Sequence, residues 1–399
     1  MACRVEHRQH PGRQRGAALL IVFLIILLTG MSMLFQRLNS APNAARDQQT
    51  AAALAQARDA LIGYAITYSE THPGQPFGFL PCPDTNNDGS ADPGSCGKMD
   101  ESVVGHLPWR TLELPDLRDA DGECLWYAVS GSFKNNPKPD LLNWDSAGSL
   151  RIVDAQSGTV LAAADDLAGN DGGAAAVIFA PGAPITGQAR QIGDQACSGS
   201  IDNDYSAYVD SGTFPTNGVA TVKQGRRGDV ATNDQLLWIT PREIFTRIKQ
   251  RGNNDFATQT NTFLGQIAAW LKTAKLPNPT GSVAQGAKLV GYVPASGSAP
   301  LPLFEEWQRK WNDQIRYLVC SPQTECMLVN GMACGGALVF SGERNGGGPR
   351  TAAQKADLSS YFEGSVLGAI TSNSNVLTGA MAYNKLTPTV DVVLCINLP

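Results

Sequence analysis

The chain has 399 residues, 43% hydrophobic and 17% charged, with 41 glycines, 24 prolines and a formal net charge of −5. The length allows one large domain or two. Abundant Gly and Pro with few charges suit a β-rich, loop-rich extracytoplasmic protein better than a helical bundle.

The N-terminus reads first. A basic leader carries Arg4, Arg8, Arg13 and Arg15 against Glu6, a net +3, which leaves −8 for the remainder. An acidic body excludes the basic face that nucleic-acid binding needs. After Gly16 comes an uncharged run over 17–35, beginning Ala17-Ala18-Leu19-Leu20-Ile21. As a helix it would be about 28 Å long, matching a hydrocarbon core of ~30 Å. The positive flank places the N-terminus in the cytoplasm and the body in the periplasm. A cleaved secretory signal would have a shorter apolar region. A plain single-pass anchor fits length and charge.

The residues Arg13-Gln14-Arg15-Gly16 followed by Ala17-Ala18-Leu19-Leu20 resemble the prepilin signal of type IV pilins and minor pseudopilins. That resemblance implies peptidase cleavage after Gly16, a mature N-terminus at Ala17, and assembly through the N-terminal helix. The family usually has Glu at mature position five; here that position is Ile21. Lack of this acid is typical of the minor pseudopilin that caps a secretion pseudopilus. Within a bilayer an unpaired carboxylate is costly, and in the family it is thought to meet the amine of the subunit ahead. Ile21 needs no such partner, which suits a tip or initiating position.

Next in the chain, 37–70 reads as an amphipathic helix. Leu54, Ala57, Leu61, Tyr64 and Ala65 form one apolar stripe, and Pro42 is expected to kink or start this part. Residues 71–106 read as loop. Within them Asp84, Asn86, Asp88, Ser90 and Asp92 place oxygens at alternate positions, with Gly89 sixth, like the front of a calcium-binding EF-hand loop. Position twelve is Ser95, not a bidentate Glu, and an ordinary Asx-rich turn is the competing reading.

A turn at Asp121-Gly122-Glu123 leads to an aromatic strand beginning at Leu125-Trp126-Tyr127, loosely similar to a segment of major pseudopilins. Further strands are expected over 149–153, 159–163, 174–180 and 235–239. A helical stretch over 241–275 should break near Gly252. The second half then echoes the first: 311–319 follow 124–129, 336–342 follow 175–182, 357–363 follow 204–210, and 390–396 follow 233–239. With the two helical stretches these make five echoes in the same order, read as a degenerate duplication. A single continuous β-rich domain is the competing reading.

Nine cysteines are present, one of them Cys3 in the leader. The other eight are an even set for an oxidising compartment. Cys82 and Cys96 flank the acidic loop and are expected to pair, as are Cys320 and Cys326; Cys124–Cys197 and Cys334–Cys395 are then the remaining pairs, though sequence does not fix connectivity. No Cys-x-x-Cys occurs, and His72 and His106 are the only histidines past the leader, which leaves little for zinc or a nucleophilic triad. His106, in a Pro/Gly-rich stretch, is expected at the surface. The glycine run Gly346-Gly347-Gly348 lacks the Lys-Ser/Thr of a phosphate loop.

The expected fold is α+β: a long N-terminal transmembrane and amphipathic helix, then two pilin-like helix-plus-antiparallel-sheet units. The segments are leader 1–16, span 17–36, amphipathic helix 37–70, first head 71–240 and second head 241–399. The expected function is a non-enzymatic minor pilin-like or pseudopilin-like subunit of a type IV pilus or type II secretion filament. Its partners would be other pilins, the prepilin peptidase and the inner membrane, with calcium as the candidate ligand. The alternative is a bitopic inner-membrane anchor presenting a periplasmic binding module; an anchored hydrolase comes third.

Overall fold

The computed structural model describes residues 15–163, 172–190, 197, 204–210, 214, 218–252, 256–272, 276–294 and 302–398; for 15–26, 28–42 and 302–304 it describes the backbone alone. Most of the leader, 1–14, lies outside the described residues.

Helix α1 (Arg15–Thr71) runs for 57 residues, continuous through Pro42. A proline removes one helical hydrogen bond, and here the helix carries on past it. Residues 43–49 are exposed on every side, and burial begins at Thr50. From there Leu54, Ala57, Leu61, Ala65 and Tyr68 form a buried stripe at helical spacing. The small side chains of Ala57 and Ala65, both fully buried, let the helix lie close on a sheet.

That sheet is built from β1 (Val103–His106), β2 (Trp126–Val129), β5 (Ala176–Ala180) and β7 (Gln235–Ile239), in the order β1-β2-β5-β7. Every pairing is antiparallel. β2 and β5 are buried on both faces, so they read as continuous apolar runs rather than alternating ones. A smaller sheet of β3 (Leu150–Asp154), β4 (Val160–Ala162) and β6 (Ala220–Gln224) lies in the order β4-β3-β6. There β3 pairs antiparallel with β4 and parallel with β6.

Thr240 then caps α2 (Pro241–Gln250) directly after β7, accepting from the Glu243 N–H, with Pro241 in the first turn. After α3 (Phe256–Leu271) come β8 (Thr280–Gln285), β9 (Lys288–Tyr292), α4 (Pro302–Lys310), β10 (Ile315–Cys320), β11 (Met327–Val329), β12 (Met332–Cys334) and β13 (Gly336–Phe340). The chain finishes with α5 (Ala352–Lys355), α6 (Gly364–Thr371), β14 (Val376–Leu377) and β15 (Val392–Ile396). The main sheet has the order β15-β13-β10-β9-β8 and the small one β12-β11-β14.

The two halves share one pairing scheme. β1-β2-β5-β7 and β9-β10-β13-β15 have the same order, and so do β4-β3-β6 and β12-β11-β14, including the one parallel pairing in each. Side chains follow suit. Arg190 donates to the carbonyls of Gly182 and Ala207 and lies over the Tyr208 ring. Arg350 donates to those of Gly342 and Ser360 and lies over Tyr361. In each half an Asp just before the last strand, Asp234 or Asp391, accepts the N–H of Asp210 or Glu363.

Two expectations are corrected. Among the described residues no helix is long and apolar enough to cross a membrane. The expected span, 17–36, lies in α1, and apart from Leu27 its side chains are outside the described ones. The two units share a core. A single buried cluster contains Leu54, Tyr127 and Ile178 from the first half together with Phe263, Trp311 and Phe340 from the second. Neither unit is wholly antiparallel, since β3–β6 and β11–β14 are parallel.

Candidate functional site

Three places carry the residues singled out from the sequence. Gly16, Ala17 and Ile21 lie in the first turns of α1. Their side chains lie outside the described ones.

The acidic loop is a closed turn. Asp84 is fully buried, and its carboxylate accepts the backbone N–H groups of Asn86, Asp88 and Gly89 at 3.2, 3.2 and 2.6 Å. Burial pushes this carboxyl above its ordinary range, while the N–H donors oppose the shift. Asp92 accepts from the Thr85 N–H and hydroxyl and from the Asn86 N–H and carboxamide. Asn86 Oδ1 accepts the Asp88 N–H, and Asp88 accepts the Ser90 N–H. Among the described residues no three His, Cys, Asp or Glu side chains gather where they could hold a metal. Of the five candidate calcium ligands, Asp84, Asn86, Asp88 and Asp92 each turn at least one side-chain oxygen onto the loop's own N–H groups. Gly89 serves both turn and packing, with φ +89° and the Trp109 ring 2.8 Å from where a Cβ would lie.

This loop also seals a sheet edge. Asp84 and His106 exchange backbone hydrogen bonds at 3.1 and 2.8 Å on the outer side of β1. His106 is correspondingly not a surface residue. It ends β1, buried, with its ring 3.9 Å from that of Trp126. In the second half β8 occupies the matching edge, beside β9.

Four disulfides are present: Cys82–Cys96, Cys124–Cys197, Cys320–Cys326 and Cys334–Cys395. The first clamps the acidic loop. The last ties the end of β12, in the small sheet, to β15, the edge strand of the second main sheet.

The seam between the halves escaped the sequence reading. Asn143-Trp144-Asp145, from the first half, inserts into the second. Asn143 donates to Asp313 at 2.8 Å and Trp144 donates to Gln314 at 3.1 Å. Asp145 accepts from Arg350 and from Gln314, both at 2.6 Å. The Trp144 ring packs against Phe256, Trp311, Phe340 and Tyr383. Asp313 has its pKa raised to about 6, first by burial and then by the nearby charge of Asp145. These hydrogen bonds and ring contacts join the two halves.

No family model matches the chain, and neither a curated protein nor a solved structure matches it. Function rests on the residues themselves.

Proposed function

We propose that the chain is a minor pilin-like or pseudopilin-like structural subunit of a type IV pilus or type II secretion filament, placed at the tip or in initiation, with no catalytic role. The observation that carries this reading is α1. Among its described side chains burial begins at Thr50, and 43–49 stand clear on all sides. An exposed helical stretch is available to neighbouring subunits, and the sequence has, at Gly16-Ala17, the junction a prepilin peptidase would cut. The four disulfides support a body residing in an oxidising compartment outside the cytoplasm.

Ile21 and the size of the body support the end position. A subunit without the fifth-residue acid lacks the register contact of a repeating shaft, and a body of two fused sheet units is bulky for close helical packing. The test is shearing and purification of filaments, with stoichiometry and immunogold labelling. Low copy number with label at filament ends is expected. Absence from the sheared fraction, or even label along the shaft, contradicts the reading.

A further inference from the structure

The sequence holds three Asn-Gly pairs, at 217–218, 330–331 and 345–346. In an Asn-Gly pair the glycine nitrogen can attack the Asn carboxamide, because glycine has no Cβ to shield it or to limit the rotation that attack requires. Asn217 lies outside the described residues. The other two pairs stand in turns of different kinds.

Asn330-Gly331 is the two-residue turn between β11 and β12, closed by the Val329–Met332 pair. Both φ values are positive, +49° and +81°, as in a type I′ turn. A left-handed Asn turns the next nitrogen away from its own Cβ, out of reach of the carboxamide. Asn330 is also tied to the segment beyond β14: its N–H donates to the Leu377 carbonyl at 2.9 Å, and its Oδ1 accepts the Gly379 N–H at 3.1 Å. Attack here requires the small sheet to open first.

Asn345-Gly346 is the centre of a turn closed by the Gly347 N–H on the Arg344 carbonyl, at 2.8 Å. Both residues are exposed. Among the described residues nothing bonds to the Asn345 carboxamide or to the Gly346 N–H. Gly346, Gly347 and Gly348 all have positive φ, +88°, +70° and +75°, a run without side chains to restrict the backbone.

We propose that Asn345 is a site of spontaneous deamidation, which the fold leaves open while it shields Asn330. The Gly346 nitrogen attacks Asn345 Cγ and a C–N bond forms. The side-chain nitrogen leaves as ammonia, taking up the proton that the Gly346 N–H gives up. Water then opens the cyclic imide at either carbonyl. One opening gives aspartate; the other gives isoaspartate, in which the main chain runs through Cβ and Cγ. Either product adds a carboxylate near Glu343, which pairs with Lys249. The isoaspartate also lengthens the loop whose Gly346 carbonyl accepts from Arg242 at 2.9 Å and which leads to Arg350 at the seam.

The test is peptide mass mapping of the full chain held at mildly alkaline pH, folded and in urea. In the folded chain the peptide containing Asn345 gains about 1 Da. It does so about tenfold faster than the peptide containing Asn330, whose turn must open before it reacts. In urea the two convert at similar rates, and Asn345→Gln removes the fast conversion. No gain at Asn345, equal rates at the two sites in the folded chain, or a difference that persists in urea would each overturn the proposal.

Discussion

Asp145 and Arg350 are 205 positions apart and meet at 2.6 Å, each side chain 1% exposed. The same carboxylate also accepts the backbone N–H of Arg350 at 3.0 Å. This pair explains why the two sheet units behave as one body. The guanidinium that clamps the second unit internally, through Gly342 and Ser360, is neutralised by an acid from the first.

Asp145→Ala leaves that guanidinium buried without its counter-charge. Breaking a buried pair from one side costs about 3–5 kcal/mol. Urea denaturation of the full chain should show a loss of that size. Because one core spans both halves, unfolding of the body should be a single transition, and two separated transitions would contradict the shared core.

Stability should also depend on pH in an unusual direction. Asp313 and Asp391 have pKa values raised to about 6, chiefly by burial. Their folded forms hold protons that the unfolded chain releases nearer pH 4. Both therefore contribute stability that is complete below the unfolded value and lost as pH rises through about 6. The melting temperature should be higher at pH 5 than at pH 7.5, and Asp313→Asn should flatten the profile. A profile unchanged by that substitution would remove Asp313 as its cause.

The disulfides differ in what they close. Cys124–Cys197 spans 73 positions and Cys320–Cys326 spans 6. Loop-closure entropy assigns about 4 kcal/mol to the first and about 2 kcal/mol to the second. Replacing each pair by serines and measuring the melting temperature should rank them in that order.

Calcium should leave the melting temperature unchanged at millimolar concentration, because the oxygens of Asp84 and Asp92 already serve N–H donors. A rise would show by linkage that the loop rearranges around the ion.

Sequence pattern made some of this visible. The stripe of Leu54, Ala57, Leu61 and Ala65 is legible because a helix buries one face at a fixed spacing. The break between α2 and α3 is legible because Gly252 ends a good helix former. The cysteine pairs beside short loops were readable from separation alone. The seam was not, because Asn143, Trp144 and Asp145 acquire their partners only when Asp313, Gln314 and Arg350 arrive from more than 160 positions away. His106 and β1 were hidden for a similar reason: a short strand among Pro and Gly is defined by the Asp84 backbone that pairs with it. The acidic loop shows the converse limit. Oxygen spacing is the same whether carboxylates face a cation or their own N–H groups, and only the hydrogen bonds distinguish the two.

The central claim is that this chain enters a filament as a processed pilin-like subunit, and the most direct measurement is the intact mass of the protein isolated from cells with and without prepilin peptidase. The account predicts loss of residues 1–16 and an N-terminus at Ala17 in peptidase-competent cells only, abolished by a bulky replacement of Gly16. Retention of residues 1–16 in peptidase-competent cells would contradict it.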